Sequence, residues 1–175
     1  MTSLYDLSVA SYLRVLDSTI ATMKKAQTFY EQREETGDAA LQLRMADDMW
    51  ELLRQLHSVR HHSLNAARGL LNGEFNPPQN VEDVDLKAAI EHLIADRDQL
   101  AAITPAEINA LSGQPMYFRM TGVELPFTME NFVMSFTLPN LYFHAATVYN
   151  LLCADGVPLG KRDFLGQMTV GLAAS

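Results

Sequence analysis

The chain has 175 residues, 48% of them hydrophobic and 19% charged, with a formal net charge of −8. That length is enough to bury a sizeable core in a single domain, residues 1–175. The acidic balance excludes a nucleic-acid binder, which needs a basic stripe against the phosphates.

Cys153 is the single cysteine, so no intrachain disulfide forms and no Cys/His zinc-finger pattern exists. A cytoplasmic location is expected from this usage. The start, "MTSLYDLSVASYLRVLD", lacks a basic stretch before its apolar residues, and Asp6 and Arg14 interrupt the apolar run. It does not read as a signal peptide. No membrane span is expected, because no stretch nears about 18 uncharged apolar residues.

The spacing predicts a first helix from about Leu4 to Glu34. Val9, Leu13, Leu16, Ile20, Met23 and Tyr30 form its apolar stripe. Gly37 reads as its C-cap. A short helical turn is expected at 39–44. A second long helix is expected from an Asp47 N-cap to about Asn72–Gly73. Its core face is Met49, Leu52, Leu53, Leu56, Val59, Ala66 and Leu70. Pro77 and Pro78 then forbid regular structure.

The third helix is expected from about Asp83 to Ile103, with Leu86, Ile90, Leu93, Leu100 and Ile103 inward. Thr104-Pro105 reads as the cap and first residue of a small extra turn. "QPMYFRMTGVELPFT" breaks the helical period around Thr121-Gly122 and predicts a hairpin. Thr128 then caps a fourth helix to about Leu152, and an irregular tail follows Asp155-Gly156. The fold class is therefore all-α, a four-helix bundle with a small β-hairpin between helices three and four.

Five histidines carry the chemical interest: His57, His61, His62, His92 and His144. At about 100° per residue, His57 and His62 lie on opposite shoulders of the second helix's stripe, and His61 points further outward. Either shoulder can face inward. His57 and His61 are four apart, a spacing that can hold a metal on one helix face. So are Asn140 and His144, in the apolar stretch "TLPNLYFHAATVYNLL". Pro139 lies inside that helix and leaves the carbonyl of Ser135 without its donor. The expected bend turns Asn140 and His144 towards a pocket inside the bundle. Imidazole suits a borderline divalent metal, whereas an amide is a poor ligand. No GxSxG, GxGxxG, P-loop or HExxH pattern is present.

"MWELLRQLHSVRHH" and "FTLPNLYFHAATVYNLLCADGVPLGKRDFLG" resemble a bacterial family, a domain of unknown function within the DinB/YfiT-like helical-bundle superfamily. The likeness runs from "LYDLSV" to "GKRDFLG". It implies a four-helix bundle, often dimeric, with a three-histidine metal site in many members. One histidine comes from the second helix and an H-x3-H pair from the fourth. By position His62 and His144 match two of these, and Asn140 stands where the third would be. The resemblance thus implies a weak or degenerate site for a divalent metal, Zn or Ni, built on His62, His144 and Asn140. His57 or His61 are the candidates to replace the missing ligand.

Two functions follow as expectations. One is a non-catalytic bundle that binds a small-molecule ligand or forms a homodimer through its first and fourth helices. The alternative is a metal-dependent transferase acting on a low-molecular-weight thiol, with the metal as Lewis acid. Neither involves nucleic acid or a membrane.

Overall fold

Apolar residues at three- and four-residue intervals build four long helical rods whose stripes meet in a common core. The computed structural model describes residues 2–78, 80–168 and 170–171. Helix α1 spans residues 6–31, a π turn at Asp6–Ala10 followed by an α-helix at Ser11–Glu31. Helix α2 spans residues 52–72, interrupted by a π turn at His61–Asn65. Helix α3 is Leu86–Ala101 and α4 is the short Pro105–Asn109. Helix α5 spans residues 129–154 and contains a third π turn, Val133–Thr137. Helix α6 is Lys161–Leu165. The protein is thus mostly helical, with six helices among the described residues.

Helix α2 packs along α5, and α1 packs against both α3 and α5. Leu16, Met23, Leu52, Leu56, Leu70, Leu93, Leu100, Phe132 and Leu152 are all sealed from solvent. Most of the expected stripe residues lie in this core. Leu13, Met49 and Ile103 are only half-buried.

The helix starts follow local capping chemistry. Asp85 accepts from the Ala88 N–H, so α3 begins just after the expected Asp83. Thr104 and Glu107 form a capping box on α4. Thr128 accepts from the Asn131 N–H at the start of α5. Asp47 is not a cap. Residues 43–51 form a loop, and α2 starts at Leu52 behind Glu51, which supplies no side-chain cap bond. Before Leu52, Met45 and Trp50 stay exposed and Met49 is only half-buried, so no buried stripe extends the helix.

Helix α1 ends at Glu31, short of Gly37. Gly37 has φ 77° and opens the 3-10 turn Asp38–Gln42 instead. A Cβ there would lie 2.6 Å from Leu86 Cδ2 and 2.7 Å from Tyr30 Cδ2, so the close approach requires glycine.

The sheet has one strand more than the expected hairpin. Strands β1 (Glu74–Phe75), β2 (Pro115–Met120) and β3 (Val123–Thr128) form one sheet in the order β1-β2-β3. β2 and β3 are the expected antiparallel hairpin, turning at Thr121-Gly122. β1 joins in parallel, with Phe75 opposite Phe118. Two residues carry no alternation, so β1 has no signature in sequence. Arg119 pairs with both Glu74 and Glu124 and ties the three strands together. The tail is not wholly irregular either. Helix α6 packs on α1, where Lys25 and Asp163 meet at 2.5 Å. No helix among the described residues is long and apolar enough to cross a membrane.

Candidate functional site: a buried imidazole cluster

Two of the π turns shape one site. In α2 the π turn His61–Asn65 places two consecutive histidines inside the protein, His61 at 6% exposure and His62 at 8%. The outward position expected for His61 is therefore wrong. The wider turn departs from the 100° step. What an ideal helix would show to solvent is also covered, because Phe75 of β1 lies 4.4 Å from the His61 ring, centre to centre.

His144 of α5 faces this pair. Its ring centre is 5.9 Å from that of His62, with the planes only 12° apart. His61 and His62 are 5.2 Å apart, edge to face. Phe75 and Phe136 wall the cluster at 5.7 Å and 5.9 Å from His62. On the other side of His144, Trp50 of the 43–51 loop stacks at 5.9 Å and 10°. Trp50 is itself exposed and carries Arg54 over its ring.

Hydrogen bonding fixes one imidazole and leaves two unpaired. Gln55 Nε2 donates to the Trp50 carbonyl at 3.1 Å, which turns Gln55 Oε1 towards His144. His144 Nδ1 then donates to that oxygen at 2.7 Å. This tautomer leaves Nε2 with its lone pair. His61 Nε2 and His62 Nδ1 are buried with no hydrogen-bond partner, as is His57 Nε2 on the preceding turn.

All three clustered rings are held neutral. Burial pushes His62 down to about 3, helped by the neighbouring His61 and His144. Burial, with His57 and His144, takes His61 to about 4 against the opposing Asn76 main chain. Burial alone takes His144 to about 4. Neutral imidazole is the form that ligates metals and accepts hydrogen bonds.

Asn140 lies one helical turn before His144 on α5 and is held by its own helix. Its Nδ2 donates to the Phe136 carbonyl at 2.7 Å, one turn back on its own helix. The carbonyl it serves is that of Phe136, not Ser135. The helix runs through Pro139, because the π turn just before it has already reset the ladder. Leu138 N–H reaches five residues back, to Val133 O.

The geometry of the cluster does not suit a three-ligand metal centre. Nearly parallel rings do not aim their nitrogens at one point. Among the described residues no three His, Cys, Asp or Glu side chains are grouped as a metal ligand set. The donor chemistry suits a borderline divalent metal, but the arrangement does not fit a closed three-ligand centre.

Trp50, Gln55 and Phe75 escaped the sequence reading. Gln55 was legible in principle. It lies three residues after Leu52 and four before Val59, inside the apolar stripe, and is 1% exposed. A polar residue in that position must meet a buried partner.

A family model described as a domain of unknown function (DUF1993) matches residues 4–165. A solved structure of a DinB family member protein from Shewanella denitrificans superposes with a TM-score of 0.80 at 26% identity. That match covers 97% of this chain and 95% of the other. No curated protein matches the chain.

Proposed function

The chain belongs to the DUF1993 family of domains of unknown function and is DinB-like, and from this premise we propose that it is a small-ligand-binding protein with a degenerate histidine site. In this reading α1, α2, α3 and α5 act as one DinB-like four-helix bundle, a single domain. The site is the cluster of His61, His62 and His144 beneath Trp50.

One observation carries the reading. His61 Nε2 and His62 Nδ1 are buried without partners next to an imidazole whose tautomer Gln55 fixes. Leaving each nitrogen unpaired costs about 1–3 kcal/mol, so a ligand that reaches them recovers that energy. A ligand of this kind is small and carries a hydrogen-bonding or metal-ligating atom. Zn or Ni would be held weakly at best, because the stacked His62 and His144 rings do not converge on one ion and Asn140 offers only an amide. The transferase alternative would need a strong third protein ligand, where Asn140 offers only an amide oxygen.

Homodimerisation is part of the same proposal. Met134, Tyr142 and Phe143 are exposed apolar residues on α5, a surface suited to a two-fold partner.

Trp50 is the single tryptophan and stacks on His144, so its fluorescence reports on the site. Titrating Zn²⁺ or free imidazole into untagged protein tests the reading. A saturable change in the wild type that disappears in His62→Ala and His144→Ala supports it. An unchanged response in both variants overturns it.

A further inference from the structure

Away from the imidazole cluster, a cavity of about 130 Å³ lies between α2, α3 and residues 80–84. Part of its lining is apolar, with Leu56 from α2, Ala89 from α3 and Val84 from the covering segment. The rest includes His57, Arg60 and His92. An apolar body with a few donors at one place is the composition of a small-molecule site.

Arg60 is held in a defined orientation. Its Nε donates to Asp96 Oδ2 at 2.6 Å and its Nη2 to Asp96 Oδ1 at 3.2 Å. Asp96 is only 8% exposed, so the fork cannot swing freely. Nη1 lies outside the pair and makes a long contact, 3.5 Å, to His92 Nδ1. A guanidinium offers five N–H donors, and this one keeps capacity on the Nη1 side. At His57, burial first and then the charges of Arg60 and Arg54 push the pKa down, with Asp96 acting the other way. The guanidinium groups thus impose a positive field on that side chain.

We propose that the cavity between α2, α3 and residues 80–84 binds a short-chain carboxylate, its tail against Leu56, Val84 and Ala89 and its head at Arg60 with His57 and His92. The size agrees. A cavity of roughly 150 Å³ accommodates benzene, so this one takes a molecule of about six heavy atoms, as butyrate is. The Arg60–Asp96 pair is net neutral, so it supplies directed hydrogen bonds more than charge. Binding is therefore selective but not tight. Glu82 at the lining is exposed, and its carboxylate opposes an anion. The site shares no residue with the His61, His62 and His144 cluster and stands or falls independently of it.

The test is titration of the whole chain with butyrate, and separately with the neutral isostere butyramide, followed by ligand-observed NMR. Saturable butyrate binding, about tenfold or more tighter than butyramide, is expected from the charge-assisted bonds. Glu82→Gln, on an exposed segment, should tighten butyrate binding severalfold. Ala89→Leu fills the cavity and should abolish it, and Arg60→Lys, which keeps the charge opposite Asp96, should weaken it about tenfold. Circular dichroism confirms that each variant is folded. Equal binding of butyrate and butyramide overturns the proposal. So does absence of saturable butyrate binding to the wild type, or undiminished binding in folded Ala89→Leu.

Discussion

Gln55 Oε1 and His144 Nδ1 lie 2.7 Å apart, a hydrogen bond between two buried side chains 89 residues apart in sequence. The bond joins α2 to α5 at the level of the imidazole cluster. Gln55 also donates to the Trp50 carbonyl, so one amide orients both His144 and the loop that covers it. A second residue that fixes the tautomer of an imidazole is how protein sites preset a lone pair towards a ligand.

Gln55→Leu should therefore destabilise the protein by about 1–3 kcal/mol, because it leaves the buried His144 N–H unpaired. Chemical denaturation followed by circular dichroism measures this. A loss below about 0.5 kcal/mol would mean that the bond does not organise the site, since that is the range of an ordinary surface substitution.

Acid should weaken the fold early. The unfolded histidines take protons near their ordinary value of 6.5, whereas His61, His62 and His144 resist until about 4, 3 and 4. The unfolded state binds more protons throughout that window. Stability is therefore fully present above about pH 6.5 and falls as the pH drops through 6 and 5, by about 1.4 kcal/mol per pH unit for each histidine. Denaturant melts at pH 7, 6 and 5 check this. The slope should shrink by one histidine's share in a folded His62→Phe variant. Equal stability at pH 7 and pH 5 would contradict neutral burial of the cluster.

The framework was readable from periodicity, and the site only partly. Leu16, Met23, Leu56, Leu93 and Leu100 announce the core because helical spacing and burial are the same fact seen twice. Thr104 and Thr128 announce helix starts through their side chains. The π turn at His61–Asn65 leaves no mark on composition, so a wheel drawn at a fixed step places His61 outside. Phe75 reaches the cluster through a two-residue parallel strand, a tertiary pairing with no local pattern. Trp50 arrives on an aperiodic loop, and the expected Asp47 cap concealed that loop as helix. Asn140 was placed one turn from His144 correctly, but its bond to Phe136 depends on how the π turn accommodates Pro139.

Self-association through α5 is expected to depend on Phe143, which is 55% exposed. Sedimentation at tens of micromolar should give a dimer for the wild type, and Phe143→Lys should shift it towards monomer while leaving the helical spectrum unchanged. A wild-type monomer under those conditions would remove α5 as an interface.

In the proposed reading the histidine site binds metal only weakly, because Asn140 offers an amide where a third imidazole would ligate. Elemental analysis of untagged protein, purified without added metal and then dialysed against excess Zn²⁺-free buffer after zinc loading, tests it most directly. Asn140→His would set two imidazoles four residues apart on one face of α5, a spacing that can chelate. The wild type should retain well under one equivalent of zinc, and Asn140→His markedly more. A full equivalent held by the wild type and unchanged in Asn140→His would contradict it.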